Sequence, residues 1–117
     1  MSKPLVLIIE DDKEVAELYS HALELSGVET EIIRIGEDAL TRLAAIVPNI
    51  VLLDLKLSPH MSGAYILHYI RSDQRLAKTC VIVITGYAVM AEAVKEQADL
   101  VLIKPVDVGQ LIDLVAR

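Results

Sequence analysis

The chain has 117 residues, 54% of them apolar and 24% charged, and carries a net charge of −6. That length is one domain, long enough to bury a core without disulfides or metal staples, and the apolar share excludes a disordered chain. The acidic balance sets the domain against direct nucleic-acid binding, because phosphates would repel it.

The longest apolar run is five residues, as in Leu5–Ile9, against the roughly 18 a membrane-spanning helix needs, so no membrane partner is expected. Four tyrosines with no phenylalanine or tryptophan make no base-stacking platform. Ser2, Lys3 and Pro4 lead into that short run and then into Glu10, Asp11 and Asp12, which would interrupt a secretory signal. A cytoplasmic location is the expectation. The single Cys80 cannot form an internal disulfide and reads as a small buried hydrophobe.

In chain order, Leu5–Ile9 predicts a strand. Asp12 reads as the N-cap of a first helix, with Val15, Leu18, Tyr19, Ala22 and Leu25 as its inward stripe and Gly27 as its C-terminal cap. Residues 28–35 alternate partly, as a half-exposed strand at a sheet edge does. A second helix begins at Asp38, turns Ala39, Leu40, Leu43 and Ala44 inward and ends before Pro48. A strand over 50–53 precedes a helix that starts near Gly63 and carries Ile66, Leu67 and Ile70. A strand over 80–84, a short helix over 89–97, the strand Leu100–Ile103 and a helix from Asp107 through Leu111, Ile112 and Val115 complete the chain.

The runs at 5–9, 50–53, 80–84 and 100–103 are rich in Val, Ile and Leu and do not alternate. That is the composition of strands buried on both faces of a parallel sheet. Five β-α units predict an α/β fold with helices on both sides of the sheet. In such sheets the ligand site lies beyond the carboxyl ends of the strands, where strand order reverses.

Polar residues stand at those ends: Glu10, Asp11 and Asp12 after the first strand, Asp54 after the third, Thr85 after the fourth, Lys104 and Pro105 after the fifth. Carboxylates crowded into one cleft either keep a proton or share a cation. An all-oxygen donor set with few protein ligands suits Mg²⁺. Cation, lysine and hydroxyl around one carboxylate are the parts needed to stabilise a phosphoryl group, and a carboxylate can itself accept that group.

Glu10 and Asp11, then Asp54, Thr85, and Lys104 with Pro105, in that order on a (βα)5 pattern, resemble the receiver domain of bacterial two-component response regulators. The resemblance covers essentially the whole chain, as a single domain over 1–117 that can form the N-terminal part of a longer regulator. It implies a doubly wound, CheY-like (flavodoxin-like) fold with strand order 2-1-3-4-5. It also implies that Asp54 is the phospho-acceptor, Thr85 the switch hydroxyl and Lys104 the partner of Asp54 or its phosphate. Mg²⁺ would be held by Asp11 and Asp54, by Glu10 through water, and by the backbone carbonyl of Lys56. Pro105 would follow a cis peptide. The implied partner is a sensor histidine kinase or histidine phosphotransfer protein, with a homodimer left open. The domain would catalyse its own phosphorylation and dephosphorylation and turn over no external metabolite.

Three features depart from the family. Val101 stands where many receivers carry an aromatic, three residues before the lysine. The stretch from Thr85 to Lys104 is a few residues short, with Glu96, Gln97, Ala98 and Asp99 in place of a small Gly-Ala turn. The loop after Asp54 looks one residue longer before Gly63.

His21, His60 and His68 show no metal-ligand spacing, and Tyr65 and Tyr69, four apart on a helix, read as packing residues. A phosphorylation-independent interaction module is the alternative reading, motivated by the altered fourth helix. A flavodoxin-type carrier would need a Ser-, Thr- and Gly-rich first loop, where this chain has Glu10, Asp11, Asp12, Lys13 and Glu14. A phosphatase with an aspartyl nucleophile would need an acid two residues after it, and Lys56 stands there.

Overall fold

The computed structural model describes residues 3–56 and 61–116. Its elements run β1 (Leu5–Ile9), α1 (Lys13–Leu25), β2 (Glu29–Ile33), α2 (Gly36–Ala45), β3 (Ile50–Asp54), α3 (Gly63–Ser72), β4 (Cys80–Thr85), α4 (Ala88–Val94), β5 (Leu100–Ile103) and α5 (Val108–Ala116). A short 3-10 helix, Gln74–Leu76, precedes β4. No helix among the described residues is long and apolar enough to cross a membrane.

All strand pairs are parallel, and the order is β2-β1-β3-β4-β5, as the five-unit pattern and the family resemblance predict. Successive strand residues feed opposite faces. Leu7, Ile9, Val51, Leu53, Val81 and Val83 pack with α2, α3 and α4, while Val6, Ile8, Leu52, Ile82 and Ile84 pack with α1 and α5. Each of these side chains is at most 2% exposed, and such burial contributes about 1.5–3 kcal/mol per large aliphatic residue. Because β1 lies between β2 and β3, the chain winds to one side of β1 and then to the other. The reversal opens a crevice above the ends of β1 and β3.

Local signals position α1 as read. The Asp12 side chain accepts from the backbone N–H groups of Glu14 and Val15, and Gly27 takes φ +101° just past the helix, a conformation that favours glycine.

Other expectations need correction. The buried stripe of α1 is Ala16, Tyr19 and Leu23, while Leu18 and Leu25 are exposed: the small Ala16 allows closest approach to the sheet, which turns the larger Leu18 to the rim. In α2, which begins two residues before Asp38, Ala44 faces solvent. The 3-10 helix, whose Leu76 is fully buried, was not foreseen, because three residues give no periodicity to read. Cys80, at the start of β4, is only half-buried. β5 is not covered on both faces: Leu100 is 39% and Ile103 48% exposed, because it is the last strand and the neighbouring α4 has only seven residues.

Candidate functional site

Strand register assembles the site. Ile9 of β1 pairs with Leu53 of β3, so Glu10 and Asp54 come next to each other; Asp54 pairs with Ile84, and Thr85 with Ile103. Lys104 follows directly, its N–H donating to the Thr85 carbonyl at 2.8 Å. The four strand-end positions therefore meet on one sheet edge, although Glu10 and Lys104 are 94 positions apart.

Glu10 and Asp54 are 2% and 5% exposed. Lys104 Nζ lies 2.9 Å from Asp54 Oδ2 and 3.5 Å from Glu10 Oε1. The other Asp54 oxygen, Oδ1, accepts the Lys56 backbone N–H at 3.0 Å. Asp11 is exposed, and one oxygen from each of Glu10, Asp11 and Asp54 falls within a 4.8 Å cluster.

Two buried carboxylates share one ammonium, so the pocket holds surplus negative charge. Burial, together with hydrogen bonding and repulsion from Asp54, pushes the Glu10 carboxyl up to about 8 from 4.5. Burial alone would lower the Lys104 ammonium, but its hydrogen bond to Asp54 and the charges of Asp54 and Glu10 outweigh that and hold it above its ordinary value. A proton, or a hard cation taking only oxygen ligands, relieves the same repulsion. The donor set fits Mg²⁺ on those grounds.

Thr85 is 1% exposed. Its hydroxyl accepts the Tyr87 backbone N–H at 3.2 Å, and no hydrogen bond joins it to Asp54 among the described residues. The Lys104–Pro105 peptide is cis, in line with the resemblance. Gly63 opens α3 hard against the end of β3: its N–H donates to the Leu55 carbonyl at 2.9 Å, and a Cβ there would collide with the Asp54 carbonyl and the Leu55 Cα.

Sequence reasoning named Lys56 only for its backbone carbonyl and missed the side-chain contacts that hold the rim. Lys56 Nζ lies 3.5 Å from the Tyr87 hydroxyl and 5.7 Å from its ring centre. The signal was present: Lys56 and Tyr87 each stand two residues after a site residue. Arg71 was missed too. It donates to the carbonyls of Gln97 and Thr79 and pairs with Asp99 at 2.6 Å, while Asp99 accepts the Val81 N–H. This clamp closes the turn over 96–99. Val101 packs half-buried against the core. His21 and His68 are exposed, Tyr65 is exposed and Tyr69 half-buried. His60 and the lengthened part of the loop after Asp54 lie outside the described residues.

The response regulator receiver domain model matches residues 6–116 of the chain. Regulatory protein AtoC of Escherichia coli is 36% identical over 115 residues, covering 96% of this chain and 24% of AtoC. The polar-differentiation response regulator DivK of Brucella ovis is 27% identical over 113 residues, covering 94% of this chain and 91% of DivK. The chain thus spans about a quarter of AtoC's length and nearly all of DivK's. The signal receiver domain of a DNA-binding response regulator from Colwellia psychrerythraea superposes with a TM-score of 0.88 at 30% identity, covering 97% of this chain and 95% of that one.

Proposed function

The chain belongs to the response regulator receiver domain family of two-component systems, and from that premise we propose that Asp54 accepts a phosphoryl group from a partner phosphohistidine. The observation that carries the reading is the buried Asp54, paired with Lys104 at 2.9 Å and clustered with the carboxylates of Glu10 and Asp11. The donor is a sensor histidine kinase or a histidine phosphotransfer protein.

An Asp54 oxygen attacks phosphorus, the P–N bond to histidine breaks, and the imidazole keeps that electron pair. Lys104 stays beside the aspartyl phosphate and neutralises its oxygens. The Thr85 hydroxyl turns toward the phosphoryl group and donates to it. Asp11, Asp54 and the Lys56 backbone carbonyl, with Glu10 through water, would hold Mg²⁺, which would supply further charge neutralisation on the phosphoryl oxygens. The reaction is the domain's own modification and its reversal, with no external metabolite turned over.

Acetyl phosphate with Mg²⁺, followed by intact mass measurement, tests this. The expected result is a gain of one phosphoryl mass in the wild-type chain and none in Asp54→Asn. No Asp54-dependent gain under conditions that label an ordinary receiver overturns it.

A phosphorylation-independent interaction module is the second reading. It is favoured by the short α4 and the exposed Tyr87, Val89, Leu100 and Ile103 near it. Labelling at Asp54 counts against it.

A further inference from the structure

Two loop residues outside the acidic cluster are tied to the site in the same way. Lys56 stands two residues after Asp54 and gives its backbone N–H to Asp54 Oδ1 at 3.0 Å. Tyr87 stands two residues after Thr85 and gives its backbone N–H to Thr85 Oγ1 at 3.2 Å. Their side chains then meet across the mouth. The Lys56 ammonium lies 3.5 Å from the Tyr87 hydroxyl and 5.7 Å from the ring centre, within the range of a cation–π attraction.

The geometry points to Tyr87 as a state-sensing residue, held in place by Lys56 and Thr85 while Asp54 is unmodified and released when a phosphoryl group occupies Asp54. This rests on the phospho-acceptor reading of Asp54.

The physics favours release. The hold on Tyr87 is weak: a neutral phenol at long hydrogen-bond distance, an exposed cation–π contact, and one N–H to a hydroxyl. A phosphoryl group brings a charge of about −1.5 to −2 and three strong acceptor oxygens. It competes for both anchors at once, drawing the Lys56 ammonium as a charge and turning the Thr85 hydroxyl toward itself and away from the Tyr87 N–H. Tyr87 is 52% exposed and directly precedes α4, where Val89 is 83% exposed. Freeing it changes the shape of that surface without moving the core.

Fluorine NMR on protein labelled with 3-fluorotyrosine reads the four tyrosines separately, with Tyr87→Phe assigning its line. In the unphosphorylated protein, Lys56→Met keeps the aliphatic stem and removes the charge. It is expected to shift the Tyr87 line while leaving Tyr19, Tyr65 and Tyr69 in place. Treatment of the wild-type protein with acetyl phosphate and Mg²⁺ is expected to move the Tyr87 line more than the other three, in step with the gain in mass at Asp54. A Tyr87 line that stays in place while Asp54 gains the phosphoryl mass overturns the inference and leaves the phospho-acceptor reading standing. An unmoved line in Lys56→Met overturns the hold itself, independently of any phosphorylation. Absence of the mass gain overturns the underlying reading and this one with it.

Discussion

The string Leu-Val-Leu-Ile occurs twice, at residues 5–8 and 100–103, and has two different fates. In β1 it lies between two strands and under helices on both faces, and Val6, Leu7 and Ile8 are at most 1% exposed. In β5 it forms the sheet edge: Leu100 and Ile103 are exposed, and Val101 and Leu102 are half-buried. Strand formation follows from the four residues themselves. Burial follows from what the rest of the chain places beside them. At one end the comparison is between a strand locked by apolar packing and, at the other, a strand held by hydrogen bonds, polar clamps and a lysine.

The sharpest way to break that comparison is to truncate the same letter in both copies. Leu7→Ala removes a fully buried side chain and is expected to cost roughly 3 kcal/mol, cavity included. Leu102→Ala, half-buried at the edge, is expected to cost about half as much. Urea unfolding measures both, and equal losses would mean that β5 is packed as tightly as β1. Next comes the clamp. Arg71→Ala removes the donors to Gln97, Thr79 and Asp99 together and is expected to cost about 1–2 kcal/mol. Amide exchange should quicken at Val81 and through 97–101 while β1 keeps its protection. Equal quickening in β1 would show that the clamp serves the whole fold rather than its edge.

The last test concerns charge at the buried end. Glu10 sits near 8 in the folded chain against an ordinary value of 4.5, so between those values the folded state holds a proton that the unfolded state releases. Stability of the metal-free chain therefore falls as pH rises through that window. Glu10→Gln cannot titrate. It should flatten the slope and raise the melting temperature more at pH 8 than at pH 5. Melting curves in EDTA at pH 5 and pH 8 read this, and an unchanged slope would place the cost on another group.

The two copies also mark how far the sequence could be read. Every strand and the five main helices were legible, because apolar runs of strand length and stripes at helical spacing are local signals. Glu10, Asp54, Thr85 and Lys104 were legible as strand-end residues, since parallel pairing brings strand ends together whatever lies between. The rotation of α1 was not, because choosing Ala16 over Leu18 depends on how closely the helix approaches the sheet. Nor was the exposure of β5, which depends on the length of α4. The Lys56–Tyr87 contact and the Arg71 clamp join residues 31 and 28 positions apart; the matching offsets of Lys56 and Tyr87 from Asp54 and Thr85 place both at the mouth, but the direction of the side chains is encoded by no one-dimensional pattern.

Lys104 lies 94 positions from Glu10 and 50 from Asp54, and it is carried by the least enclosed strand of the sheet. The acidic pocket can therefore be completed only when the last strand docks, after the loops between the strands have closed. The reverse also holds: any fluctuation that lifts β5 withdraws the Lys104 counter-charge from the buried Asp54 carboxylate. A buried carboxylate left without its partner makes that opening costly, so the pocket acts as an electrostatic latch on an edge that apolar packing leaves loose.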